Sequence, residues 1–385
     1  MEDIKRVQLS EITELITKGT TPTTLGYDFQ DDGINFLKIE CFGENGDFIK
    51  NKVAYISEEC HEKLKRSQLR NGDILFSIAG AIGRVAIVTE DMLPANTNQA
   101  LAIIRAADED VYLPYIKLIL TSPIVKEQFE KKKQGVAQLN LSLKDIGEIS
   151  IPLPGKEKQI ELAELFEKVN GIISKRNREL MSLDSLIKAR FVELFGLPVS
   201  NTKGWKTEQM NDVAPTVNYT GDFDDEVWLL NLDMVESQTG RILDYLIVSE
   251  EEVGNSTCTF DTSNVLYSKL RPYLNKVVIP NRCGYATSEL VPLQPVASKI
   301  NREYLAFLLR SDEFVNMINE KVAGAKMPRV SMSDFRKFDV PIPTMELQKE
   351  FAEFVAQVDK SKVAVQKALD EAQLLFDSLM QKYFG

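Results

Sequence analysis

One histidine, two tryptophans and four cysteines are all that 385 residues hold of these types. The cysteines (Cys41, Cys60, Cys258, Cys283) form no CxxC pair and His61 stands alone, so no zinc site is expected. A Ser-His-Asp site would have to use His61, whose neighbours Glu58, Glu59, Cys60 and Glu62 read as a solvated turn. Long apolar runs are missing too. The longest uncharged apolar window, residues 74–83, is too short to cross a bilayer. The start Met1-Glu2-Asp3-Ile4-Lys5 has neither the basic nor the apolar part of a signal peptide. A cytoplasmic chain with reduced thiols is the expectation. Basic excess is also absent, at a net charge of −11, which taken alone argues against nucleic acid. Binding needs only a local basic stripe, however, and whole-surface charge does not report one.

Catalytic motifs are missing as well. Gly80-Ala81-Ile82-Gly83 has no following Lys-Ser or Lys-Thr, so it reads as a structural turn and not a phosphate loop. A methyltransferase would need a glycine-rich strand-to-helix turn and an Asn/Asp-Pro-Pro-aromatic segment. Neither occurs, and Asn96-Thr97-Asn98-Gln99 lacks the prolines. The acidic runs Asp31-Asp32, Asp224-Asp225-Glu226 and Glu250-Glu251-Glu252 read as hydrated loops. No catalytic or metal-ligating constellation emerges, and the expected job is binding.

What the chain does have is an internal repeat. A long helical segment from Gln159 to Gly196 returns from Gln348 to Gly385, 189 residues later. In the first copy the apolar seam is Leu162, Phe166, Val169, Ile173, Leu180, Leu183, Ile187 and Leu194, with Arg176 and Arg190 also at seam positions. In the second it is Phe351, Val355, Val358, Val365, Leu369, Phe376, Leu379 and Tyr383, with Lys362 and Ala372 completing the steps. Steps of four and three keep one stripe facing a partner helix. The two seams, each about 58 Å long at 1.5 Å per residue, are most simply buried against each other, antiparallel. Both copies end in Phe-Gly, as expected just past a helix end.

Between the helices the plan is doubled with diverged sequence. Asn71-Gly72-Asp73 reads as a turn feeding a buried strand at residues 74–77, and a second strand follows at 85–88. Residues 114–129 read as helical, and the prolines of Ile151-Pro152-Leu153-Pro154 require extended chain. In the second half, residues 264–268 stand for 73–77 and residues 276–279 for 84–87. Tyr304, Ser311, Gly324, Asp334 and residues 340–343 answer Tyr115, Ser122, Gly135, Asp145 and residues 151–154 at the same offset of 189. The expected domains are 1–155 and 197–343, with long helices at 156–196 and 344–385.

Three stretches have the composition of a nucleic-acid surface. Lys131-Lys132-Lys133 leads into an amide-rich loop at residues 134–142, and amides can bond base edges. The matching segment, residues 321–331, offers Lys326 and Arg329 instead. Residues 268–276 interleave Lys269, Arg271 and Lys276 with Tyr273.

These elements, in this order and doubled around two long helices, resemble the specificity subunits of type I restriction-modification systems. The matching pieces are Gly72-Asp73-Ile74-Leu75-Phe76-Ser77 with Gly80, Gly83 and Arg84, the segment from Val265 to Tyr273, and the Gly135 to Ser142 loop. Pro152-Leu153-Pro154 before Lys158-Gln159, and Phe195-Gly196 running on to Lys203-Gly204-Trp205, complete the set. The resemblance covers essentially the whole chain. It implies an α+β fold: two α/β target-recognition domains in pseudo-twofold repeat, separated by two long antiparallel coiled-coil helices. Each domain would read one half of a bipartite site in double-stranded DNA. The helices would set the gap and dock two methyltransferase (modification) subunits, which restriction (translocase-nuclease) subunits then join. The chain itself would be no enzyme and bind no cofactor, S-adenosylmethionine and ATP being expected on the partner subunits. The DNA-facing candidates are Ser77, Arg84, Lys133, Gln138, Asn140 and Ser142 in the first domain. In the second they are Lys269, Arg271, Tyr273, Lys276, Lys326, Arg329 and Ser331. The second domain departs from the first in lacking a sequence counterpart of Gly80 and Gly83. Rival readings are a coiled-coil scaffold for protein partners and a methyltransferase in its own right.

Overall fold

The computed structural model describes residues 5–43, 46–108, 110–130, 140–223, 225–322 and 326–384. It divides into two compact units, residues 1–176 with 368–385, and residues 177–367. The two long helices run Lys156–Phe195 and Met345–Phe384. The division falls inside both, so each unit contains half of each helix.

In the first unit a four-stranded antiparallel sheet orders Thr13–Lys18, Leu101–Ala106, Ile74–Ser77 and Val85–Ile87. A three-stranded sheet orders Ala54–Ile56, Ile34–Leu37 and Ala95–Thr97, the last pair parallel. Ile74–Ser77 is buried at every residue, so its sequence is a continuous apolar run and not an alternation. Gly72 launches it at a φ of +85°, a conformation that L side chains rarely adopt. The buried Asp73 carboxylate takes Arg105 Nε and Nη2, both at 2.7 Å, and the Arg70 N–H at 2.7 Å. The bond to Asp73 pushes the Arg105 guanidinium pKa up.

The second unit repeats this core with different chemistry. Its sheets order Leu246–Ser249, Glu226–Leu230, Gly284–Thr287, Thr257–Phe260, and Val277–Val278, Val265–Ser268, Leu290–Leu293. Here Asn264 stands for Asp73 and Gln294 for Arg105, joined from Asn264 Nδ2 to Gln294 Oε1 at 3.0 Å. Asn264 Oδ1 accepts the Asp261 N–H at 2.9 Å, as Asp73 accepts that of Arg70. A buried ion pair in one unit is a neutral amide pair in the other. Both satisfy their buried polar atoms.

The same clasp ties each long helix to its unit. Gln159 accepts the Tyr112 N–H at 2.9 Å and donates Nε2 to Asp110 O and Pro154 O. Gln348 accepts the Asn301 N–H at 2.8 Å and donates Nε2 to Lys299 O and Pro343 O. Beside it, Tyr115 donates to Pro152 O at 2.7 Å and Tyr304 to Pro341 O at 2.8 Å. Burial pushes both phenols well above their ordinary pKa, so these hydroxyls stay donors.

Within each unit the helix halves run antiparallel. In the first, Phe166 packs on Phe376 and Phe384 with ring centroids 5.3 and 5.5 Å apart. In the second, Phe351 meets Phe191 and Phe195 at 5.5 and 5.4 Å, Arg190 pairs with Glu350, and Lys362 with Asp184. Leu162, Phe166, Val169, Ile187, Phe351, Val355 and Val358 are buried, as is Ala372. Ile173, Leu180, Leu183, Leu194, Val365, Leu369, Phe376, Leu379 and Tyr383 are half-buried. Towards the helix ends the buried face widens to take in Phe191, Phe195, Met380 and Phe384. There a helix packs on its globular unit as well as its partner, which broadens the apolar stripe.

Three local expectations need correction. Residues 114–129 are not one helix but two, Leu113–Leu120 and Pro123–Glu130, because Ser122 turns its N–H and hydroxyl back onto Ile119 O. Ser311 makes the same break between Arg302–Arg310 and Asp312–Lys321, with its N–H and hydroxyl on Leu308 O. His61 is not in a solvated turn: it lies in the helix Glu58–Lys63, its Nδ1 bonded to the buried Asn96 Oδ1. The Gly80/Gly83 pair also has a counterpart in shape, described next. Among the described residues no helix is long and apolar enough to cross a membrane.

Candidate nucleic-acid interface

In the first unit the turn from Ser77 to Arg84 is closed by Ser77 N–H to Arg84 O at 2.9 Å and Gly83 N–H to Ser77 O at 3.0 Å. Gly80 and Gly83 take φ of +72° and +87°. Ser77 is buried and donates its hydroxyl to Ala79 O, so it shapes the turn from inside. Arg84 is half-buried and directs Nη1 to Phe42 O at 3.1 Å. The amide-rich loop reaches this turn where Leu141 N–H meets Ile78 O at 3.1 Å. Asn140 is exposed there, and Ser142 caps the helix Leu143–Gly147 by accepting the Asp145 N–H. Lys133 and Gln138 lie outside the described residues.

The second unit builds the same junction without glycine. Ser268 N–H meets Lys276 O at 3.0 Å, and the Ser268 hydroxyl donates to Leu270 O at 3.0 Å. Lys276 sends Nζ to Leu232 O at 2.8 Å, as Arg84 bonds Phe42 O, and burial pulls its pKa down. At the two positions that need positive φ stand Arg271 (+49°) and Asn275 (+50°). Asparagine enters this region readily, arginine rarely.

The second basic segment meets this loop at Pro328, Arg329 and Val330. Arg271 N–H donates to Pro328 O and Val330 N–H to Lys269 O, both at 2.8 Å, and Leu270 bridges Arg329. The contacts bring Lys269, Arg271 and Arg329 to one junction, with Tyr273 on the same loop and Lys326 and Ser331 on the same segment. Arg271, Lys326 and Arg329 are exposed, and so is Tyr273. Arg329 pairs with Glu289 at 2.7 Å, while Ser331 caps the helix Met332–Arg336. Lys269 is half-buried, with its N–H on Glu289 O.

Sequence reasoning passed over two residues here. Gln238, at a φ of +69°, donates its N–H to Leu274 O and its Nε2 to Tyr273 O, both at 2.9 Å. Glu289 braces Arg329 from a neighbouring turn. Gln238 carries no local signal, since its role depends on a loop more than thirty residues away. In chemical terms the junction is a polar, partly cationic rim on a buried frame. Among the described residues it holds no nucleophile paired with a base.

A family model for the type I restriction modification DNA specificity domain matches residues 1–181 and 237–372, most of the chain. The chain belongs to the type I restriction-modification DNA specificity family. Among curated relatives of this family, the EcoBI specificity subunit of Escherichia coli is 32% identical over 183 residues, 46% of this chain and 37% of the relative. The EcoDI specificity subunit of Escherichia coli is 23% identical over 282 residues, 62% of each chain. The match thus spans between about a third and two thirds of these two relatives' lengths. The solved type I restriction-modification S subunit from M. genitalium shares the fold, at 14% identity and a TM-score of 0.53 over 100% of this chain and 97% of that one.

Proposed function

We propose that this specificity-family chain is a non-catalytic DNA-recognition subunit whose two units each read one half of a bipartite asymmetric site. One observation carries the reading: the same frame of clasp, turn and helix cap occurs twice, and the residues on top of it differ. A doubled frame with unlike rims suits two half-sites of unlike sequence, read mainly through base edges, while phosphate contacts fix orientation. The long helices would set the number of unread base pairs, as rigid spacing does in other two-headed readers. They would also dock two methyltransferase subunits, to which restriction subunits add. Those partners would bind S-adenosylmethionine and ATP, supplying the methyl group and the energy for translocation.

The test is selection from random duplexes by the chain in complex with its methyltransferase subunits. Two dissimilar motifs at a constant gap are expected. One contiguous motif would leave a single reading unit, and no enrichment would favour a protein scaffold. Lys326→Ala with Arg329→Ala should weaken DNA binding by the complex roughly tenfold or more. Unchanged affinity would remove the second unit's rim from the interface.

A further inference from the structure

Arg271 stands in a conformation that its own fold builds elsewhere with glycine. It is the third residue after Ser268, as Gly80 is after Ser77, and both serines donate to the carbonyl two residues on. An added Cβ at Gly80 would meet nothing within 4 Å, so only the backbone conformation disfavours a side chain there. In the second unit arginine occupies that place at a φ of +49° and a ψ of +64°. Strain of this kind persists only where surroundings hold it, and its presence points to function.

The surroundings do hold it. Arg271 N–H is fixed on Pro328 O and its carbonyl on Leu274 N–H, at 2.8 and 2.9 Å. Gln238 grips the carbonyls of Tyr273 and Leu274, and Asn275 Nδ2 donates to Arg310 O at 3.0 Å. That anchor is half-buried, its guanidinium donating to Val277 O. Out of this clamped loop the Arg271 side chain projects exposed, with no hydrogen bond or ion pair among the described residues. Arg329 beside it is held by Glu289.

We infer that Arg271 is the specificity-determining residue of the second unit and reads a guanine in the major groove through its planar fork. The inference rests on the DNA-reading proposal. A phosphate contact needs only positive charge, which Lys326 supplies from an exposed position. A bidentate contact to guanine O6 and N7 needs a donor pair fixed in position and angle, which a clamped loop provides. Gly80 stands at the equivalent place in the first unit, so that unit must read its half-site with other residues.

The experiment compares the whole complex carrying wild-type chain, Arg271→Gly or Arg271→Lys in selection from random duplexes, with thermal melting of each. Arg271→Gly restores the residue that this turn carries in the first unit, so Tm should be unchanged or higher by about 2–4 °C. Both variants should lose preference for one guanine in one half-motif, by roughly tenfold or more, with the other half-motif intact. Arg271→Lys keeps the charge but not the planar fork: a guanine preference preserved in that variant would overturn the assignment to the fork. A fall in Tm with Arg271→Gly would overturn it too, by making the role structural. A two-part wild-type motif untouched by Arg271→Gly would sink this inference alone. No two-part motif from wild type would sink the DNA-reading proposal together with it.

Discussion

Phe351→Ala should destabilise the second unit by about 3–5 kcal/mol, the usual cost of emptying a buried aromatic site. Phe351 is fully buried, packs on Phe191, Phe195 and Phe307, and belongs to the unit's largest apolar cluster. It is also where the second long helix meets the first, so the loss strikes the helix pair and the globular core together. The chain offers its own reporter, since Trp205 and Trp228 both lie in the second unit. Tryptophan fluorescence during urea unfolding should show the midpoint fall with Phe351→Ala. Phe166→Ala, which empties a buried aromatic site in the first unit's helix pair, should act on far-UV circular dichroism more than on tryptophan signal. A tryptophan midpoint unmoved by Phe351→Ala would mean that this cluster does not hold the unit together.

Gln348→Leu should cost nearly as much for a different reason. Leucine approximates the volume, so little cavity results. What it removes is a donor and an acceptor that satisfy the Asn301 N–H, Lys299 O and Pro343 O inside the fold. Each buried backbone group left unpaired costs about 1–3 kcal/mol, and the sum is on the order of 3–5 kcal/mol. Gln159→Leu should do the same in the first unit, where the partners are Tyr112 N–H, Asp110 O and Pro154 O. Denaturant midpoints measure both. A shift under about 1 kcal/mol in either would show that water replaces the amide and that the clasp is peripheral.

The doubling was legible because the features that carry it are local in sequence. A seam with steps of four and three, a glutamine at the helix start and a serine at a helix N-cap recur at one offset. The geometry of the seam and the cap depends on residues three or four positions away, and the glutamine is marked by its place at the helix start. The loops were not legible. The sequence shows no glycine for the turn after Ser268, yet Arg271 and Asn275 adopt the conformation that Gly80 and Gly83 adopt, because contacts from Pro328, Gln238 and Arg310 hold them there. Such contacts join residues tens of positions apart and leave no periodic trace. The exchange of Asp73 and Arg105 for Asn264 and Gln294 is hidden for the same reason: each residue is ordinary alone, and only burial makes it half of a pair.

Composition does not separate the uses of single side chains either. Arg84 and Lys276 read as cations for phosphate, but each bonds a backbone carbonyl within its unit. Ser77 is turned inward, while Arg271, Tyr273 and Lys326 stand out from the same frame. Where the chain needs a long polar side chain to hold a turn, the residue type alone does not separate that use from binding.

The central claim is two reading units at a separation set by the long helices. Its most direct measurement is selection from random duplexes by a complex whose chain lacks one heptad from each helix, residues 173–179 and 362–368. Each deletion removes about 10 Å of helix, or roughly three base pairs at 3.4 Å. Taking both at repeat-equivalent places keeps the seams in phase. The account predicts both half-motifs unchanged and the gap between them shorter by about that amount. An unchanged gap, or a change of sequence within either half-motif, would contradict it.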